Sequence, residues 1–299
     1  MQKRPSYSPL GEYLENIPLA DYTTWRVGGK AKALYKPVNI QDLAAFLKEL
    51  PASQPIHWLG LGSNSLFRDK GFAGTVILTQ GCLKNIDLIS QDIVRAEAGV
   101  SCASMARFCA RNNLAKAEFL AGIPGTVGGA LRMNAGCYDG ETWNYVSEVE
   151  TITRNGQIHK RTPDSFTVSY RNVIGLEEDE WFIAASFRLP KGEKAISLNT
   201  IKELLERRKN TQPTNEYNCG SVFRNPKGNY AAALIEQCGL KGYRIGGAMV
   251  SLKHANFIIN ENKSASATDI ESLITFIQNT VREKTNISLV REVHIIGEA

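Results

Sequence analysis

Gly122-Ile123-Pro124-Gly125-Thr126-Val127-Gly128-Gly129-Ala130 places four glycines in nine positions. Glycine in regular structure costs roughly 0.5–1 kcal/mol against alanine, through the backbone entropy lost on ordering. Such density is explained when a flat or charged ligand has to lie against the backbone. A mobile surface loop is the competing explanation, and it fits badly. Ile123, Pro124, Val127, Leu131 and Met133 are apolar and favour burial. Asn134-Ala135-Gly136-Cys137-Tyr138 follows closely, and the glycine-dense region runs on to Gly140.

A second glycine loop precedes it. Gly60-Leu61-Gly62-Ser63-Asn64-Ser65 follows an expected strand over 56–59, so its backbone N–H groups can face a phosphate. It is not a dinucleotide fingerprint, because the third glycine of G-x-G-x-x-G is replaced by Ser65. Nor is Gly29-Lys30 a phosphate-binding P-loop, since Thr24 stands where the earlier glycine belongs and Ala31 where Ser or Thr belongs. Taken alone, this loop reads as a tight surface turn.

Around these loops the chain alternates irregularly between short strands and helices. Leu43, Phe46, Leu47 and Leu50 recur at helical spacing after Asp42. Strands are expected over 75–78 and 93–96, and a helix from Ser101, a natural N-cap, through Met105, Phe108 and Cys109. Strands over 149–153 and 157–161 flank Asn155-Gly156, a hairpin signal, and another covers 181–187. Pro190-Lys191-Gly192-Glu193 reads as a linker. Thr200-x-x-Glu203 and Thr268-x-x-Glu271 read as capping boxes, each opening a helix. The second helix carries Ile270, Leu273, Ile274, Ile277 and Val281 on one face. A last strand is expected over 289–296. Without regular β-α alternation, the fold class is α+β.

Composition bounds the function classes. The 299 residues exceed one typical domain, so two or three are expected. With 35 basic against 30 acidic residues, the net charge of +5 is mild and spread out, which does not resemble a nucleic-acid surface. The six cysteines (Cys82, Cys102, Cys109, Cys137, Cys219, Cys238) form no C-x-x-C pair and have no zinc spacing. They read as reduced, mostly buried thiols of a cytoplasmic protein. Residues 1–15 are polar and hold two prolines, so no signal peptide is expected, and no apolar run is long enough to span a membrane. Four histidines without paired spacing argue against a metal site.

One later segment stands out. In Cys219-Gly220-Ser221-Val222-Phe223-Arg224-Asn225-Pro226 a small hydroxyl residue follows a backbone-freeing glycine, and a proline ends the run. Read alone, a serine in a turn leading apolar residues into a core is the simpler account.

The motifs together resemble the UDP-N-acetylenolpyruvoylglucosamine reductase family. Thr24-Trp25-Arg26-Val27-Gly28-Gly29, the 60–64 loop and the 122–129 loop are similar to its flavin-binding motifs. Ser169-Tyr170-Arg171, residues 220–226, residues 239–260 and Arg291-Glu292-Val293 resemble its later motifs, in order from about residue 18 to 297. The resemblance implies an FAD-binding domain of two α+β lobes, of the PCMH or vanillyl-alcohol-oxidase-like type, over 1–78 and 79–195. A C-terminal α+β substrate-binding domain over 196–299 would send its last strand back to the active site.

The implied reaction is NADPH-dependent, FAD-mediated reduction of UDP-N-acetylglucosamine enolpyruvate in peptidoglycan precursor synthesis, by a cytoplasmic monomer without nucleic-acid or membrane partners. Carried over residue by residue, Arg171, Ser221 and Glu292 are catalytic, with Ser221 the proton donor. Gly60, Gly62, Ser63, Asn64, Ser65, Gly122, Pro124, Gly125, Thr126, Gly128 and Gly129 hold the cofactor. Arg224 and Asn225 hold the substrate, with Asn134, His254 and Asn256 as secondary positions. Arg171 can bind a carboxylate through two parallel hydrogen bonds. Glu292, expected on one strand face with Val290, His294 and Ile296, would have its pKa raised by apolar neighbours.

The chain departs from the family at Arg224, where many relatives carry Lys. It also departs at Cys219, expected to make the site sensitive to thiol oxidants. Its length fits the shorter of the family's two subtypes. An FAD-linked oxidase of the same fold and a non-catalytic nucleotide-sugar binding protein are the alternatives.

Overall fold

A computed structural model of the chain describes residues 10–298. Residues 1–9, on which part of the signal-peptide expectation rests, lie outside the described residues. The fold is α+β and separates into two compact units that interleave along the chain. The first takes residues up to Glu15, Ala33–Gly60 and Gly74–Glu206; the second takes Asn16–Lys32, Leu61–Ala73 and residues from Arg207 on. Four of the five seams fall within strands Glu12–Pro18, Lys30–Lys36 and Phe72–Leu78 and within helix Lys194–Thr211, and the fifth in the loop at Gly60-Leu61. The three-way division expected at residues 78 and 195 follows chain order; these units do not.

In the first unit a five-stranded antiparallel sheet runs in the order Ile158–Arg161, Val146–Thr153, Glu180–Arg188, Ile93–Glu97, Ile86–Leu88. Val94, Val149, Phe182 and Phe187 share one core with Met105, Cys109, Val127 and Leu131 of helices Cys102–Arg111 and Val127–Arg132. Each such side chain, fully buried, contributes roughly 1.5–3 kcal/mol. Strands Ile56–Leu59 and Phe72–Leu78 pair in parallel, and helix Ile40–Glu49 sets Leu43, Phe46 and Leu47 into a core with Tyr35 and Ile77.

In the second unit, strands Arg244–Ile245, Ala248–Val250 and Ile258–Asn260 form an antiparallel sheet. Helix Ala267–Thr285 buries Ile270, Leu273, Ile274, Ile277 and Val281, the face its spacing predicts. Its core partners include Val222 and Phe223, and also Trp25, Val27 and Leu66 from much earlier in the chain. Among the described residues no helix is long and apolar enough to cross a membrane.

Several local expectations need correction. Thr200 does not cap a helix: it lies inside Lys194–Thr211, and its hydroxyl donates to the Ile196 carbonyl at 3.1 Å, one turn back. The second capping box is Ser266 with Asp269, two residues before the expected one, and Thr268 already sits in the first turn. The linker at residues 190–193 is tied down, because Ala115 N–H donates to the Pro190 carbonyl at 2.9 Å and Gly192 N–H to the Asn113 carbonyl at 2.8 Å. The last strand covers only His294–Ile296. Glu292 lies before it and is half-buried, while Val290 and His294 are exposed, so the apolar face proposed for Glu292 does not form.

Candidate active site

The glycine loop of the first unit divides into glycines that packing requires and one that it does not. A Cβ on Gly60 would stand 2.5 Å from Thr126 Oγ1, and one on Gly128 would stand 2.8 Å from the Ala98 Cβ. Gly128 N–H donates to the Ala98 carbonyl and Val127 N–H to the Val100 carbonyl, at 2.9 and 2.8 Å. These donors are spent inside the protein. Gly129 differs: it is exposed, and a Cβ there would meet only Thr126 Oγ1 at 3.7 Å. Internal packing therefore does not demand glycine at 129. Thr126 is the N-cap of helix Val127–Arg132, its hydroxyl accepting from Gly129 N–H at 3.4 Å. Gly122, Pro124 and Gly125 complete this loop, with Cys102 N–H donating to the Gly125 carbonyl at 3.0 Å.

Asn134 and Arg171 lie in the same unit. Asn134 is 2% exposed and has φ +44°. Its Nδ2 donates to Glu141 Oε2 at 2.9 Å and to the Ser169 carbonyl at 3.4 Å, while its Oδ1 accepts from Trp143 N–H at 3.1 Å. Arg171 follows two residues after Ser169, with φ +54°, a left-handed conformation uncommon for a side-chain-bearing residue. Its Nη2 donates to the Gly136 carbonyl at 2.9 Å. The carboxamide of Asn134 thus anchors the turn that presents the arginine.

In the second unit Gly62 has φ +69°, and a Cβ there would lie 2.2 Å from the Tyr22 carbonyl. Thr24 N–H donates to the Gly62 carbonyl at 3.2 Å, which joins the Thr24–Gly29 motif to the 61–65 loop. Past Ser63, Asn64 Nδ2 donates to the Glu292 carbonyl at 3.2 Å, and the Asn64 carbonyl accepts from His294 N–H at 3.0 Å. Ser65 then opens strand Ser65–Phe67, which pairs in parallel with His294–Ile296.

Ser221 is half-buried on the same assembly. Glu292 N–H donates to the Val222 carbonyl at 2.8 Å, Arg224 N–H to the Val290 carbonyl at 2.9 Å, and Phe223 faces Arg291 in an antiparallel bridge. The expected proton donor and Glu292 therefore lie on neighbouring backbones. Asn225 is exposed, and its Oδ1 accepts from Ala231 N–H at 3.1 Å at the start of helix Ala231–Gln237. Among the described residues nothing accepts from its carboxamide N–H groups, so they are available to a ligand.

An open cavity of about 510 Å³ is lined by Arg224, Gln278, Val290, Arg291, Glu292 and His294, among others. Among the described residues the buried Nε of Arg224 has no hydrogen-bond partner. Gln278 and Arg291 were not among the expected site residues. Nothing in the spacing separates Gln278 from the other polar positions of its helix.

Cys219 is 4% exposed, and burial first, then the nearby Glu292 charge, push its thiol well above the ordinary range. It is held as the unreactive thiol, which corrects the expectation of oxidant sensitivity. His254 has its pKa lowered, by burial first and then by the Lys241 charge. Its Nδ1 accepts from Asn256 N–H at 3.3 Å. Asn256 is 3% exposed, and both ends of its carboxamide pair with Phe223.

Comparison with known proteins decides the family. A domain described as "UDP-N-acetylenolpyruvoylglucosamine reductase, C-terminal domain" matches residues 212–296, and one described as "FAD binding domain" matches residues 31–162. The UDP-N-acetylenolpyruvoylglucosamine reductase of Legionella pneumophila (strain Paris) is 66% identical over 97% of this chain and 95% of its own length. That of Methylococcus capsulatus is 51% identical over 97% of this chain and 94% of its own. The chain belongs to the UDP-N-acetylenolpyruvoylglucosamine reductase family. The crystal structure of a family member from Thermus caldophilus superposes with a TM-score of 0.81 at 33% identity, covering 95% of this chain and 98% of that one.

The family's FAD-binding domain thus includes the 60–65 and 122–129 loops, both within residues 31–162. The residues present fit a flavin nucleotide in one respect. Gly129 offers exposed backbone where no internal contact requires a glycine, so a ligand can approach closely there. The family's C-terminal domain in turn includes Ser221, Arg224, Asn225, His254, Asn256 and Glu292.

Proposed function

We propose that this chain reduces UDP-N-acetylglucosamine enolpyruvate to UDP-N-acetylmuramate, with NADPH as reductant and FAD as relay, in peptidoglycan precursor synthesis. The observation that carries this reading is its 66% identity to the Legionella pneumophila reductase over 97% of the chain. When bound, the flavin supplies transfer of hydride from NADPH to the terminal carbon of the enolpyruvyl group.

The chain's own residues have two tasks. Negative charge builds on the carbon beside the carboxylate and spreads into it as an enediolate, so that carboxylate needs a fixed cation. Arg171 takes this role. Its left-handed backbone and its bond to the Gly136 carbonyl support a guanidinium held in place before substrate arrives. The carbanionic carbon then needs a proton, and Ser221 Oγ is the donor. A serine hydroxyl is a weak acid, yet an enediolate carbon is basic enough to take its proton. Glu292 acts on the same intermediate from the backbone that borders Val222. Arg224 and the carboxamide of Asn225 hold the substrate, and the 60–65 and 122–129 loops hold FAD.

The protein works in the cytoplasm as a monomer. The lobes over 1–78 and 79–195 and the substrate domain over 196–299 belong to this proposal as divisions by role. Purified protein should be yellow, and beyond the single equivalent that reduces its flavin it should turn over NADPH only when UDP-N-acetylglucosamine enolpyruvate is added. Colourless protein that cannot be reconstituted with FAD, or NADPH oxidation indifferent to that substrate, would sink the reading.

A further inference from the structure

The backbone of Val222 and Phe223 has four polar groups, and all four are engaged. Val222 N–H donates to the main-chain carbonyl of Asn256 at 2.9 Å, and the Val222 carbonyl accepts from Glu292 N–H at 2.8 Å. Phe223 N–H donates to Asn256 Oδ1 at 3.0 Å, and the Phe223 carbonyl accepts from Asn256 Nδ2 at 2.8 Å. Asn256 thus supplies three of these four bonds. Its side chain meets one residue's N–H and C=O together, as a neighbouring β-strand would.

A carboxamide is suited to this, because it carries an acceptor and a donor at one end of a short side chain. At 3% exposure it is closed off from substrate, so it does not touch the reacting atoms. On the other side of Ser221, Cys219 is buried in the core of the second unit, and Asn218 Nδ2 donates to the Pro213 and Glu216 carbonyls at 2.9 and 2.7 Å. Gly220 has φ +79° with nothing within 4 Å of its Cβ position, and its N–H is tied to Asn218 Oδ1 at 2.9 Å. Ser221 is thus held between this tied turn and the bonds that Asn256 makes on its C-terminal side.

We propose that Asn256 is a positioning residue for proton delivery: by clamping Val222–Phe223 it holds the Ser221 hydroxyl and the Glu292 backbone in a single register. The proposal rests on the functional reading above. Misplacing a reacting group by about 1 Å costs on the order of 100-fold in rate, so losing the clamp should fall on the step that uses Ser221.

The test is rapid mixing of the flavin-loaded protein in two halves: reduction by NADPH, then reoxidation by UDP-N-acetylglucosamine enolpyruvate. Asn256→Asp keeps the acceptor for Phe223 N–H but turns a charged oxygen toward the Phe223 carbonyl. At about pH 8, reduction should stay within about twofold of the unsubstituted protein, while reoxidation slows on the order of 100-fold. Lowering the pH to about 5.5 should restore much of the ratio to the unsubstituted protein, because a buried acid facing a carbonyl protonates readily and then donates as the amide did. Asn256→Gln, with the same groups displaced by one methylene, should show an intermediate loss, and it serves if the Asp variant does not fold.

Equal slowing of both halves per bound flavin, or undiminished reoxidation, would overturn the proposal, since a merely structural residue behaves in one of those ways. Independently, amide hydrogen exchange in the unsubstituted protein should place Phe223 among the slow amides. Fast exchange there would also overturn it. If the unsubstituted protein fails to reoxidise with this substrate, the functional reading fails instead, and the exchange result alone decides whether Asn256 holds Phe223.

Discussion

The backbone N–H of Glu292 donates to the carbonyl of Val222 at 2.8 Å, so the residue after Ser221 and the last acidic residue of the proposed site are fastened to each other. Motion of either segment is thereby passed to the other. Loss of one side-chain group should therefore alter chemistry without dismantling the site.

Ser221→Ala removes the hydroxyl and leaves that backbone pairing intact. NADPH should reduce the bound flavin at close to the original rate. Reoxidation by the enolpyruvyl substrate should fall by about 10²–10⁴-fold, the range of a lost proton donor. Stopped-flow flavin absorbance reads both phases, and normal reoxidation would remove Ser221 from the acid role.

Two glycines of the second unit should respond differently to alanine. Gly220→Ala meets open space, so only its left-handed backbone is penalised, by about 1–2 kcal/mol. Gly62→Ala would add a Cβ 2.2 Å from the Tyr22 carbonyl, with a far larger loss. Urea midpoints compare them, and equal losses would contradict the packing described at Gly62.

All six cysteines are free thiols. Cys102 and Cys109 are pushed up to about 12, mainly by burial, and Cys219 and Cys238 are also buried. A thiol reagent near neutral pH should label Cys82 and Cys137, which are half-buried, ahead of the other four. Mass spectrometry of native and unfolded samples checks the order; early labelling of Cys219 would refute its assignment as inert.

Glu150 has its pKa lowered in the fold, chiefly by the hydrogen bond from Arg95, whose Nε and Nη2 reach the two carboxylate oxygens at 2.5 and 2.8 Å. A lowered folded pKa contributes stability above the unfolded value, about 4.3 for Glu. That contribution disappears as pH falls through the lower folded value. Glu150→Gln should therefore be less stable than the original near pH 7 and lose less stability on acidification. Chemical denaturation over an acid pH series measures this, and parallel curves would argue against the pair.

Where local pattern governs, the sequence was readable. Strand Ile56–Leu59 was found to the residue, and the turn at Asn155-Gly156 joins paired strands, with Gly156 at φ +75°. The second helix start was displaced because two hydroxyls have an acid three residues on, Ser266 before Asp269 and Thr268 before Glu271. Only the fold selects Ser266. The candidate residues were legible through motifs, but their connections were not. Asn64 reaches Glu292 across 228 positions, and Asn256 reaches Phe223 across 33, distances over which no periodicity speaks.

The indole N–H of Trp25 donates to the Ile258 carbonyl at 2.7 Å, and Asn260 Nδ2 returns a bond to the Trp25 carbonyl at 2.8 Å. These partners are more than 230 positions apart, and Trp25 is fully buried only in their company. During synthesis the ribosome releases this tryptophan long before its socket exists. Folding cannot then proceed as two modules finished one after the other. The second unit is opened early, left incomplete, and closed only when the last third of the chain emerges, a non-local order that slows folding and exposes apolar surface meanwhile.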